Sequence, residues 1–147
     1  MEQLFSISGT LAMAGWAALV LGPRRPRILA ATGLVVPALL SVPYVALMMS
    51  GFADAVAAGG GYGSLAAVRL LLAPDATLLA GWIHYLAFDL AIGTVLAIRL
   101  DAAGIGRIVQ APILLATFLF GPAGFLAGLL TEGAVRLLRR RAATAGA

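Results

Sequence analysis

The chain reads as an all-α membrane protein: a bundle of four transmembrane helices, with a short interfacial helix between the second and third. Three observations predict this. Hydrophobic residues fill 62% of the 147 positions and charged residues only 11%, against about 25% charged in an ordinary soluble domain. Four apolar runs approach the ~20 residues needed to cross a hydrocarbon core of ~30 Å. The connections between those runs collect glycine, proline and arginine, which break helices and anchor them to headgroups. The length suits one such bundle, so residues 1–147 form a single integral membrane domain.

The first run is Leu4–Leu21. Met1-Glu2-Gln3 carries no basic n-region and the arginines follow the run, so it is expected to be a retained helix and not a cleaved leader. Nothing resembling a plastid transit peptide precedes it. All ten basic residues are arginine, a bacterial style of composition, and the expected location is a bacterial inner membrane. After Gly22-Pro-Arg-Arg-Pro-Arg27 comes the second run, Ile28–Met49, interrupted by Pro37 and Pro43. A glycine-rich stretch, Gly59–Gly63, then leads into Ser64–Ala73, which is too short to span and is expected to lie at the interface or re-enter the membrane. Asp75 is placed to cap the third run, Thr77–Ile98. Leu100–Gly106 breaks the chain again before the fourth, Ile108–Leu130, which contains Pro112 and a Gly121-Pro122 pair. Residues 131–147 make a basic tail.

With four crossings the arginines do not set the orientation. An external N-terminus puts Arg24, Arg25, Arg27, Arg99 and Arg107 inside, and leaves Arg69, Arg136, Arg139, Arg140 and Arg141 outside. Five oppose five, and only the usual dominance of the first helix favours the N-terminus outside. The net charge of +4 comes from clusters flanking apolar runs. It therefore points to anionic headgroups and not to nucleic acid.

Several chemistries have no residues to support them. Without cysteine there is no disulfide framework and no thiolate nucleophile. One histidine and one buried aspartate are too thin a set for a metal, so no metal and no cofactor are expected. Gly59–Gly63 is not followed by the lysine and hydroxyl of a phosphate loop, and reads as a flexible connection.

Attention falls on the third run. Asp89 lies near its middle, where a carboxylate costs at least ~2.5–3.5 kcal/mol and normally faces a partner, a cavity or a substrate. At ~100° per residue Trp82, Tyr85 and Asp89 share one face, while His84 stands roughly 140° from Asp89. A direct His84–Asp89 hydrogen bond is not expected within a regular helix. The other polar groups expected within the membrane, and so the candidate partners of either one, are Thr94, Gln110, Thr117, Ser41 and Tyr44. The residues alone leave open whether Asp89 and His84 hold helices together or do chemistry, and whether the aromatics merely pack.

The blocks Ala80-Gly-Trp-Ile-His-Tyr-Leu-Ala-Phe-Asp-Leu-Ala-Ile-Gly93, Asp101, Pro112 and Thr117-Phe-Leu-Phe-Gly-Pro-Ala-Gly124 resemble the signature of the neoxanthin synthase (abscisic-acid-deficiency) family. Trp16, Pro23 and the Ser64–Leu72 piece fit it as well, so the likeness runs over almost the whole chain. Many bacterial members of that family are described only as a domain of unknown function. The resemblance implies a carotenoid or other isoprenoid lipid as partner, and an isomerase that opens an epoxide and forms an allene without net oxidation. Such a reaction needs an acid for the epoxide oxygen and a base for a nearby C–H. Carried onto this chain, His84 and Asp89 become the acid–base residues with Tyr85 assisting, and Trp82, Phe88, Phe118 and Phe120 flank the polyene. A non-enzymatic pigment or lipid carrier and a small proton-coupled transporter are the alternatives, and a homo-oligomer stays open. Few polar residues line a water path, which weighs against transport.

Overall fold

The computed structural model describes residues 1–145, which are helical apart from short connections. The helices are α1 (Glu2–Leu21), α2 (Pro26–Ala57), α3 (Leu65–Leu71), α4 (Asp75–Ala102), α5 (Arg107–Phe120) and α6 (Pro122–Ala145). Of these, α1, α2 and α4 are long and apolar enough to cross a bilayer.

Helix α4 is the axis of the molecule. Its 28 residues span about 42 Å at 1.5 Å each, and α1, α2, α5 and α6 all pack on it. Ile83, Leu90, Leu96 and Leu100 along its length are fully buried. α1 runs parallel to it, with Phe5 against Trp82, Gly15 against Leu90 and Arg24 at Asp101. α2 runs antiparallel, with Thr32 beside Thr94, Tyr44 beside His84 and Gly51 against Ala76. Outward-facing Leu34, Leu39, Val42 and Met49 on α2 stay exposed. Such a face suits lipid, where apolar burial between helices gives no special advantage.

The prolines of α2 do not end it. Pro37 has no N–H and its ring crowds the carbonyl four residues back. The helix widens into a π turn over Ala31–Val35 and continues through Pro43. Inside the widened turn the Thr94 hydroxyl lies 3.1 Å from the Thr32 hydroxyl, a polar link between α2 and α4 at a point where local irregularity is common. The expected short helix is α3, capped by Ser64, whose Oγ accepts from the Ala67 amide at 3.1 Å. Asp75 does not cap α4. It is the first helical residue after Pro74 and makes no capping hydrogen bond, so it acts only through its charge at the positive helix end.

The main departure lies in the fourth expected span. Residues 108–130 are not one kinked helix but the two arms of a hairpin, α5 and α6, that reverses at Gly121. α5 runs antiparallel to α4, from Gln110 at Asp101 to Phe118 at Tyr85. α6 then returns parallel to α4, with Gly128 against Leu96, Glu132 on Arg99 and Arg139 at Gly104. Gly121 has φ +39°, a backbone conformation that side chains disfavour. At Gly124 a Cβ would stand 2.0 Å from the Thr117 amide nitrogen, so the arms cross in backbone contact. A Gly-Pro pair bends a helix or ends it according to the torsions of one residue, and apolar length does not distinguish the two outcomes.

One end of the bundle is tied by polar groups. Arg24 Nε pairs with Asp101 Oδ2 at 3.1 Å and its Nη2 donates to Gln110 Oε1 at 3.0 Å. Gln110 Nε2 donates to Asp101 Oδ1 at 2.6 Å and to the Ile105 carbonyl at 2.8 Å. Arg24 also donates to the Leu19 carbonyl, and Arg107 to those of Gly22 and Val20. Those carbonyls end α1 and have no partner within the helix. Arg24 is thus a helix cap as well as an anchor. Burial lowers its pKa and Asp101 works against that, with the guanidinium charged throughout. Gln110, named from sequence as a candidate partner of Asp89, instead completes this clamp.

Two stability changes follow from this packing. Gln110→Leu removes hydrogen bonds from three partners in a buried setting and should destabilise the purified protein by about 1–3 kcal/mol, read as a lower denaturation midpoint in detergent. Gly124→Leu forces the hairpin arms apart and should lower that midpoint by at least as much, since overpacking typically costs 1–3 kcal/mol even where only side chains must move. An unchanged midpoint in Gly124→Leu would contradict backbone contact at the vertex.

Candidate functional site

The vertex of the hairpin meets the carboxylate of α4. Asp89 is partly buried, and Gly121 lies so close that a Cβ there would stand 2.9 Å from Oδ2 and 3.1 Å from Oδ1. Asp89 Oδ2 is buried without a hydrogen-bond partner. The first turn of α6 begins at the next residue, Pro122, and first-turn amides lack intrahelical partners and carry the positive end of the helix dipole. One turn earlier on the same face of α4, the Tyr85 hydroxyl donates to the Phe118 carbonyl at 2.9 Å. That carbonyl belongs to the last turn of α5, where carbonyls are otherwise unpaired.

Beside this pair runs an apolar groove of about 390 Å³ between α1, α4 and α5, lined by Trp82, Tyr85 and Leu86, by Phe118 and Leu119, and by Phe5, Ser6, Gly9, Thr10 and Met13. Trp82 stacks on Tyr85 with centroids 5.3 Å apart and on Phe5 at 6.0 Å, and Phe118 meets Trp16 at 5.5 Å. Aromatic walls with a few polar groups are what a long apolar ligand requires. The α1 contribution was not anticipated. Its signal was present in Ser6, Gly9 and Thr10, small and polar residues at helical spacing inside an apolar run.

His84 is elsewhere. It stacks on Phe88 at 4.5 Å and meets Tyr44 in a tilted contact at 5.8 Å. It lines a separate pocket of about 280 Å³ with Tyr44, Met48, Tyr62, Leu71 and Thr77, under α3. The helical spacing that separated His84 from Asp89 holds in the structure: His84 lines this pocket, and Asp89 lines neither it nor the groove. Phe88 and Phe120, expected to flank the same ligand as Trp82 and Phe118, lie outside the groove and are 57% and 66% exposed. Thr94 and Thr117 bond to carbonyls of their own helices, Thr94 also to Thr32, and Ser41 bonds to the Pro37 carbonyl. None of the three is hydrogen-bonded to Asp89. Among the described residues no three His, Cys, Asp or Glu side chains gather into a metal site.

No curated protein matches the chain, and no solved structure does. A family model does, over residues 3–127, the stretch that holds the groove, Asp89 and the hairpin vertex. The chain belongs to the ABA4-like family, described as ABA DEFICIENT 4-like.

Proposed function

We propose that this is an integral membrane protein that binds a carotenoid or related isoprenoid in the groove of α1, α4 and α5 and isomerises it, with Asp89 as the proton-transferring group. The observation that carries the reading is the unpartnered Asp89 oxygen one helical turn from an aromatic-lined groove. Membership of the ABA4-like family supports a carotenoid-related role, and the resemblance to the neoxanthin synthase family implies an epoxidised carotenoid as the substrate.

The separation of His84 from Asp89 shapes the mechanism. A protonated Asp89 gives its proton to the epoxide oxygen as the C–O bond breaks. The resulting carboxylate then takes the proton from the neighbouring C–H, whose electron pair becomes the new double bond. Atoms and electrons balance, the substrate is isomerised, and Asp89 ends as it began. Tyr85 positions this step, since its hydroxyl is fixed to the Phe118 carbonyl and its ring forms the groove wall with Trp82. His84, with Phe88 and Tyr44, shapes the second pocket instead. Phe120 has no part in the groove.

Asp89→Asn keeps shape and polarity but cannot exchange the proton, so turnover of a defined epoxycarotenoid should fall by ~10²–10⁴ with bound pigment retained. Full turnover in that variant removes Asp89 from the chemistry, and a pigment or lipid carrier then fits the groove better. His84→Gln should keep turnover within about tenfold of the parent, well short of the loss expected of a positioned proton donor. An equal collapse in both variants would restore a divided acid–base pair. Product analysis of the two purified variants beside the parent separates these outcomes.

A further inference from the structure

The hairpin changes how often the chain crosses the membrane. α5 starts at Arg107, beside the end of α1, and reaches the middle of α4 at Asp89. α6 starts there and runs back to Gly104, where Arg139 approaches the carbonyl at 3.5 Å. Both arms therefore open on the face that carries the α1–α2 turn and the α4–α5 connection. The opposite face holds Glu2, the end of α2, α3 and the start of α4.

This redistributes the charge. The three arginines of the α1–α2 turn, Arg99, Arg107 and the four arginines of the tail lie together, which is nine of the ten in the chain. Only Arg69, on α3, is at the other face, with Glu2, Asp54 and Asp75. All nine except Arg24 are solvent-exposed. Arg99 and Arg136 flank a groove of about 540 Å³ floored by Ile98, Ala102 and Leu129, and both hold the buried carboxylate of Glu132 at 2.8 Å. An apolar floor below a basic rim matches the join between acyl chain and phosphate.

We propose that the chain crosses the bilayer three times, that α5–α6 is a re-entrant hairpin, and that the nine-arginine face is the cytoplasmic one, seated on anionic phospholipid headgroups. The five-against-five count of a four-crossing chain becomes nine against one, which orients the N-terminus outside by the rule that basic loops stay on the inserting side. Clustered arginines beside membrane helices are attracted to the anionic lipids of that leaflet.

The natural absence of cysteine permits a direct test on the full chain. Single cysteines at Gln3, Gly63, Gly106 and Ala142, all exposed, are labelled with an impermeant maleimide in right-side-out and inverted vesicles. Gly106→Cys and Ala142→Cys should label together from the cytoplasmic side, and Gln3→Cys and Gly63→Cys from the other. Labelling of Ala142→Cys with Gln3→Cys means four crossings and overturns the re-entrant hairpin. Labelling of the first pair from outside overturns the orientation. For the lipid, phosphatidylglycerol added to the detergent-purified protein should raise Tm more than phosphatidylcholine does, and a variant with Arg139, Arg140 and Arg141 changed to Gln should lose most of that difference. Equal effects of the two lipids on the parent, or an undiminished difference in the variant, overturn the headgroup surface.

Discussion

A helix that ends inside hydrocarbon leaves its last carbonyls and the next helix's first amides without water, and each unsatisfied group there costs several kcal/mol. The Gly121 reversal creates that situation beside the middle of α4. The polar residues of α4 sit where the reversal needs them. Tyr85 donates to the Phe118 carbonyl at the end of α5, and the Asp89 carboxyl stands against Gly121, next to the first turn of α6. Backbone contact at Gly124 keeps the two arms together. Tyr85 thus answers one of the unpaired groups at the vertex, and Asp89 stands against it.

The opposite requirement is met at the basic face, where the hairpin opens. There Arg24, Arg107, Asp101 and Gln110 join the end of α1 to both sides of the α4–α5 connection. Arginine suits this place because its planar fork serves a carboxylate, an amide and carbonyls at once. With its open end fixed by that clamp and by the Glu132 pairs, the hairpin presents a defined vertex to Asp89.

Much of this was legible in the residues, and the part that was not has a physical reason. Apolar length located the starts of α1, α2 and α4 to within two residues, but α2 runs on to Ala57, past the expected end at Met49, and α4 to Ala102, past Ile98. Helical angle placed Trp82, Tyr85 and Asp89 on one side and His84 on another, since α4 is regular throughout. The same angle could not pair Phe88 with His84 and exclude it from the groove without knowing which neighbour lay where. Gly121-Pro122 was visible as a break, but its direction depends on a positive φ and on a close approach to Thr117, neither of which leaves a mark in hydropathy. The direction of that break decides on which side of the bundle the tail arginines lie, which composition alone does not show.

The hairpin also sharpens what Asp89 is for. A carboxyl placed only to satisfy a helix start would be expected to direct both oxygens at amides, yet Oδ2 is buried with no partner. Tyr85 donates to the Phe118 carbonyl, one turn before the Asp89 carboxyl on the same face of α4. An unpaired buried acceptor is destabilising and is tolerated where something else occupies or uses it. The groove one turn away is lined by Trp82, Tyr85 and Phe118, and family membership points to an oxygen-bearing polyene. Tyr85 meets the carbonyl end of the reversal and forms the groove wall, while Asp89 stands at the vertex, one turn beyond that wall.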